Sequence, residues 1–231
     1  MYAILIPAYN PDRRLIEIVE EIILEEGPVV VVDDGSSPRS RAVFDEVSRQ
    51  RGVTVLRHEV NRGKGCALKT GLSHIRRTHP DLAGAVLMDA DGQHAVGDLR
   101  RVGGRLGAGE RVLIIGERSL SRNVPFRSRL GNSFTSSLFS ALTGVKIRDT
   151  QTGLRAIPMS LIPEFVALGG DRYEYEMEML CFCCAHAIPI VEVPIETRYF
   201  DDNRASSFNP PVDSAKIIWT LLKNRFRSRR R

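Results

Sequence analysis

Five short apolar runs, separated by stretches of helical period, dominate the first half of the chain, and this alternation constrains the fold more than any other feature. The runs cover residues 3–7, 29–32, 53–56, 83–88 and 112–115. Each reads as a buried strand rather than a helix. Between them, the segments 13–26, 39–51, 66–79 and 96–106 predict helices. Leu15, Ile18, Val19, Ile22 and Ile23 mark one apolar helical face. Such alternation implies βαβ crossovers and a mainly parallel sheet covered on both faces.

The second half is less regular. Residues 119–129 read as a polar, basic, mobile loop, 132–142 and 175–187 as helices, and 201–211 as a loop. Residues 190–199 predict a strand in which Pro194 suits an edge or a bulge. Over 213–226, Ala215, Ile218, Trp219, Leu222 and Phe226 share one helical face, followed by a basic tail. The composition suits an interfacial helix drawn to anionic lipid headgroups or a helix packed on the body with a disordered tail, and the expectation is a packed helix with its tail near a membrane. There is no internal repeat, low-complexity insertion or clear linker.

Charge is unevenly placed. The 231 residues carry a formal net charge of +5, but Lys223, Arg225, Arg227, Arg229, Arg230 and Arg231 supply six positive charges at the C-terminus. The remainder is close to neutral, which argues against a nucleic-acid-binding body. Of four cysteines, Cys181, Cys183 and Cys184 crowd one helix and Cys66 lies in another. That spacing suits neither disulfides nor zinc and predicts buried thiols in a reducing compartment. The chain shows no signal-peptide pattern and no apolar run near the roughly 20 residues that span a bilayer. A cytoplasmic location is expected, with or without surface attachment to a membrane.

Candidate chemistry gathers at strand ends. In open parallel sheets, ligands bind beyond the carboxyl ends of the strands. The first strand runs into Pro7, Ala8, Tyr9 and Asn10, the second into Asp33 and Asp34, the fourth into Asp89, Asp91, Gln93 and His94. One acidic turn would be ordinary; three polar clusters on one edge point to a ligand site. Asp89 and Asp91 are either an Asx-type turn or a clamp for a hard divalent cation such as Mg²⁺ or Mn²⁺. Gln93 could add a carbonyl oxygen, and His94 a ligand or a phosphate contact. Asn-Arg-Gly-Lys-Gly at 61–65 opens a helix and is either an anion cradle with Lys64 or a glycine-rich helix start. It matches neither the Walker A nor the dinucleotide-binding glycine pattern.

Taken in order, the motifs resemble family 2 glycosyltransferases of the GT-A fold over nearly the whole chain. They are Ile-Pro-Ala-Tyr-Asn at 6–10, Val-Val-Asp-Asp-Gly-Ser-Ser at 31–37, Asn-Arg-Gly-Lys-Gly at 61–65 and Asp-Ala-Asp-Gly-Gln-His at 89–94. Gly-Glu-Arg at 116–118, Asp-Thr-Gln-Thr-Gly-Leu-Arg at 149–155, Tyr-Glu-Tyr-Glu-Met-Glu at 173–178 and Val-Pro-Ile-Glu-Thr-Arg-Tyr at 193–199 continue the set. The branch it is most similar to is that of the polyprenyl-phosphate sugar synthases, including dolichyl-phosphate mannose synthase.

The resemblance implies a Rossmann-like GT-A domain over 1–211, followed by an amphipathic helix and basic tail over 212–231. It implies a nucleotide pocket lined by Pro7, Ala8, Tyr9 and Asn10, with Asp33 and Asp34 on base or ribose. Asp89 would face ribose, metal or diphosphate, Asp91 would be the main metal carboxylate and Gln93 would complete the Mg²⁺ or Mn²⁺ shell. Lys64 would approach the diphosphate or only support the helix start. Asp149 would be a base or sugar-binding carboxylate, with Arg155 as its structural or phosphate partner. Glu176 and Glu178 are candidate sugar contacts, while Glu174 suits a helix N-terminus.

The implied activity is inverting, metal-dependent transfer from a UDP- or GDP-sugar to a polyprenyl phosphate at the cytoplasmic membrane face. Arg118, Arg127 and Arg129 would recognise the acceptor phosphate. A sugar or protein hydroxyl acceptor, or a non-catalytic nucleotide-sugar-binding subunit, are the alternatives; intact Asp89, Asp91, Asp149 and Arg155 count against the last. Relatives of this type often carry transmembrane helices after the catalytic domain, so the expected partners include a membrane surface or a membrane-anchored protein.

Overall fold

The computed structural model describes residues 1–23, 27–107, 109–118, 126–196 and 210–228. Seven strands, β1 (Ala3–Ala8), β2 (Val29–Asp33), β3 (Val53–Arg57), β4 (Gly84–Leu87), β5 (Leu113–Arg118), β6 (Arg155–Pro158) and β7 (Ile190–Ile195), form one sheet. Their order is β3-β2-β1-β4-β6-β5-β7. All pairings are parallel except those of β6, which runs antiparallel to both β4 and β5. The helices are α1 (Arg14–Ile22), α2 (Arg41–Val47), α3 (Lys64–Thr78), α4 (Val96–Gly103), α5 (Phe126–Thr143), α6 (Ile162–Val166), α7 (Glu174–Ala185) and α8 (Pro210–Ser228).

Side-chain alternation along the strands builds two apolar layers. Leu5, Val30 and Val32 face the layer completed by Leu68 and Leu72 of α3 and Met179 and Leu180 of α7. Ile4, Ile6, Val29 and Val31 face the layer completed by α1, α2 and α4 through Leu15, Val19, Phe44 and Leu99. Because β1 pairs with β2 on one side and β4 on the other, the sheet order reverses at β1. A crevice therefore opens where β1 and β4 end, the place where such sheets bind ligands.

The expected strands and helices of the first half are all present, with shifted ends. Helix α3 begins at Lys64 rather than 66, because Gly63 at φ +98° turns the chain directly into it. Pro194 lies in β7, which pairs with β5 alone and so forms the sheet edge. Strand β6 is new: four residues, begun by an arginine and closed by a proline, carry no periodic signal.

Two expectations need correction. Arg127 and Arg129, read as loop residues, fall within α5; their side chains and residues 119–125 lie outside the described residues. The end of the expected 190–199 strand and most of the 201–211 loop lie outside them as well. The second correction concerns α8. It packs on α7 and α5, but through Asp213, Ile217, Thr220 and Leu221, all buried. The predicted apolar face is turned outward: Trp219 is 67% exposed, and Ala215 and Leu222 are exposed with it.

Candidate active site

At the crevice, the turns after β1 and β2 are clamped together. Asn10, at φ +50°, donates its backbone N–H to Ser36 Oγ (2.8 Å), and Ser37 N–H donates to Asn10 Oδ1 (2.8 Å). Asp33 accepts from Ser36 N–H at 2.9 Å, so its carboxylate shapes its own turn. Gly35, at φ +69°, abuts the backbone of Val60, where any Cβ would collide.

Asp34 is buried and ties this edge to the loop before α3. Its oxygens accept the backbone N–H groups of Arg62 (2.9 Å) and Gly63 (2.8 Å) and sit 2.7 Å from His58 Nδ1. The other ring nitrogen of His58 lies 3.0 Å from Thr70 Oγ1 on α3. Asp34 thus positions the Asn-Arg-Gly-Lys-Gly loop. Asp33 does not line the cleft.

That loop delivers Lys64. Its ammonium lies 2.7 Å from Asp89 Oδ1 and 3.0 Å from Glu176 Oε2, and 5.5 Å from the centre of the Tyr173 ring. Burial works against the charge, but the two carboxylates outweigh it and hold the lysine above its usual range. Burial likewise opposes the Asp89 charge, and Lys64 overrides it, so Asp89 is held below the usual carboxylate range. Asp91 goes the other way. Burial and the neighbouring Asp89 charge push its carboxyl up to about 6. Its Oδ1 accepts from Gln93 N–H at 3.0 Å. Gly153 fits against the Asp89 carboxylate with no room for a Cβ.

Beside this cluster, Arg118 grips Asp149: Nε to Oδ2 is 2.6 Å and Nη2 to Oδ1 is 2.9 Å. Backbone N–H groups of Arg118 and Gln151 donate to the same carboxylate. The partner of Asp149 is therefore Arg118, not Arg155. Arg155 is fully buried and donates to the carbonyls of Thr152, Glu176 and Thr150; it is a scaffold beneath the site and does not line the cleft. Buried His94 Nδ1 and Glu176 Oε1 have no hydrogen-bond partner among the described residues. Glu174 accepts from the N–H groups of Asp171 and Arg172, as its helix-start position suggested. Glu178 accepts from Asn224 of α8.

A cleft of about 330 Å³ brings many of the expected residues together. Pro7, Ala8, Tyr9 and Asn10 line one side, and Lys64, Asp89 and Asp91 the other, with Asp34 between them. Arg172 and Tyr173, which no sequence signal singled out as ligand contacts, border the same space. Gln93, Arg118, Asp149 and Arg155 are not among the lining residues. No group of three His, Cys, Asp or Glu side chains able to hold a metal occurs among the described residues. Mg²⁺ and Mn²⁺ commonly take only one or two carboxylates together with substrate phosphates. The adjacent Asp89 and Asp91, with Asp91 held high by its neighbour's charge, form a site short of positive charge and fit such a cation.

The profile of glycosyl transferase family 2 matches residues 3–167. A UDP-N-acetylglucosamine–dolichyl-phosphate N-acetylglucosaminyltransferase of Methanococcus voltae is 30% identical, covering 95% of this chain and 94% of its own. The polyprenol monophosphomannose synthase of Mycolicibacterium smegmatis is 32% identical over 83% of this chain and 75% of its own. Among solved structures, glucosyl-3-phosphoglycerate synthase of Mycobacterium tuberculosis bound to UDP superposes with a TM-score of 0.69 at 18% identity, covering 97% of this chain and 80% of that one.

Proposed function

Because the chain belongs to glycosyl transferase family 2, we propose that it moves a sugar from a UDP- or GDP-linked donor to a polyprenyl phosphate, inverting the anomeric carbon. The observation that carries this reading is the convergence of Asp34, Lys64, Asp89 and Asp91 on one cleft at the sheet's switch point. The names of the Methanococcus and Mycolicibacterium relatives supply the acceptor class.

In this reading the nucleoside rests against Pro7, Ala8, Tyr9 and Asn10, and the diphosphate points toward Lys64. Asp89 and Asp91, with Gln93 beside them, would hold a divalent cation, which would neutralise charge growing on the leaving diphosphate. Lys64 contributes a fixed positive charge at the same place. A phosphate acceptor is already anionic and needs cationic recognition more than a general base. Asp149 suits that economy, because its oxygens already accept four hydrogen bonds. The hydroxyl-acceptor reading, which needs Asp149 as a free base, is correspondingly weaker. Arg118, Arg127 and Arg129 remain the proposed acceptor-phosphate contacts; Arg118 would have to share its guanidinium between Asp149 and the phosphate. A lipid acceptor obliges the protein to meet a bilayer, and we place that encounter at the cytoplasmic face.

The test is incubation with labelled UDP- and GDP-sugars and a polyprenyl phosphate, with and without a chelator. The expected product is a labelled lipid of inverted configuration, formed with one donor class and lost with the chelator. No labelled lipid from any donor, with transfer to a hydroxyl acceptor instead, would overturn the reading.

A further inference from the structure

Helix α8 is amphipathic in the reverse of the expected sense for a helix that ends on a protein body. Its inner face carries Asp213, Thr220 and Asn224 among Ile217 and Leu221, whereas Val212, Ala215, Trp219 and Leu222 are exposed on the outer face with Ile218 at its margin. The inner polar groups are satisfied. Asp213 pairs with Arg172 (Nε–Oδ1 3.0 Å), and Asn224 donates to Glu178 (2.9 Å) and to the Thr220 carbonyl. No such pairing among the described residues explains the outer stripe.

The charge pattern identifies what fits it. Asp213 is the sole acidic residue from 210 to 231, and it is buried. Lys216 and Lys223 are exposed and edge one side of the stripe, and the final nine residues carry six positive charges and no negative one. An apolar stripe with a tryptophan, edged by lysines and free of exposed acid, matches a membrane interface rich in anionic headgroups. A second copy of the chain is a poor occupant, since stripe-to-stripe docking would bring together either the two basic ends, in a parallel pair, or the two lysine edges, in an antiparallel one. No helix among the described residues is long and apolar enough to cross a membrane, so α8 would lie in the interfacial plane.

We propose that the outer face of α8 is a docking surface for anionic lipid, with Trp219 seated in the interface. Helix α8 is also joined to the donor side of the cleft, because its Asp213 holds Arg172, whose side chain lines the cleft and abuts Gly63. Docking would thus hold this wall of the cleft close to the bilayer that carries the acceptor. The inference deepens the lipid-acceptor reading and rests on it for its purpose, but its test requires neither donor nor acceptor.

Trp219 is the only tryptophan, so its fluorescence reports this face alone. The full chain is mixed with vesicles of phosphatidylcholine, or of phosphatidylcholine with phosphatidylglycerol, containing no polyprenyl phosphate. The expected result is a blue shift of emission and co-sedimentation with the anionic vesicles, both reduced by salt. Ala215→Glu with Leu222→Glu keeps the reporter and should weaken binding at least about tenfold while leaving the circular dichroism and melting temperature unchanged. Lys216→Glu with Lys223→Glu should weaken anionic binding selectively. Absent vesicle binding, equal binding to neutral vesicles, or variants that bind like the parent would overturn the proposal. So would a concentration-dependent blue shift with doubled mass in lipid-free buffer, which would assign the face to a second copy. Failure of glycosyl transfer alone would leave the docking result standing, and the reverse also holds.

Discussion

Arg118 and Asp149 form a two-point ion pair, 2.6 and 2.9 Å, that joins the end of β5 to the turn before β6. Asp149 is buried, so truncating either partner strands a charge. Breaking such a pair costs about 3–5 kcal/mol. In a double-mutant cycle, Arg118→Ala and Asp149→Asn should each destabilise by this order. The double variant should cost about 1–3 kcal/mol less than their sum, read by denaturant midpoints at constant slope. Additive effects would mean that the pair is not coupled. Inactivity of Asp149→Asn therefore would not identify a catalytic base unless its stability were measured too.

Asp91 allows a prediction with a defined pH sign. Its folded-state carboxyl is raised from the ordinary 3.8 to about 6. Between those values the folded chain holds more protons than the unfolded one, so this residue's contribution to stability falls as pH rises through the window. Above it, the charged carboxylate disfavours folding by up to about 3 kcal/mol. Asp91→Asn should stabilise the protein near neutral pH, and the gain should disappear at acidic pH below the window. The same variant should lose transfer and lose any rise in melting temperature on adding Mn²⁺. A destabilised variant at neutral pH would show that the charged Asp91 carboxylate makes a net favourable contact in the folded chain.

The strands that build the crevice were legible because buried parallel strands are nearly continuous apolar runs, as in Val29–Asp33. The polar residues at their ends were legible for the same reason, since each interrupts such a run. The partnerships were not. Lys64 and Glu176 lie 112 positions apart, and only the assembled sheet brings the start of α3 against α7. Arg155 carried the pattern of a site residue, yet its position in β6, between β4 and β5, buries it completely. The packed face of α8 is not legible in the sequence, because hydrophobicity alone cannot reveal that the surface beneath offers Arg172 and Glu178, which Asp213 and Asn224 answer.

Lys64 should prove structural and functional at once. Lys64→Ala leaves Asp89 and Glu176 facing one another without their shared cation, at a cost of about 3–5 kcal/mol. A divalent cation near Asp89 should recover part of that loss. The Mn²⁺-induced rise in melting temperature should therefore be larger in Lys64→Ala than in the parent chain. If Lys64 merely decorated the helix start, the variant would cost no more than about 1 kcal/mol, and Mn²⁺ would affect both proteins equally.

Gly153 offers the most selective perturbation of the site. Its backbone dihedral is not in the left-handed region, so alanine is conformationally allowed, but the added Cβ would overlap the Asp89 carboxylate. The end of a side chain yields more readily than backbone, and Asp89 is 28% exposed, so it can swing toward the cleft. Gly153→Ala should thus retain its fold, with a melting temperature close to the parent's, while the carboxylate leaves its place beside Lys64. Transfer should fall by about a hundredfold, the scale expected when a site group is displaced by about an ångström, and cation-induced stabilisation should shrink with it. The decisive comparison is with Gly131→Ala, an exposed helical glycine whose added Cβ meets nothing nearby. If both variants transfer sugar at the parent rate, the position of Asp89 is not critical, and the cation clamp must be sought elsewhere in the cleft.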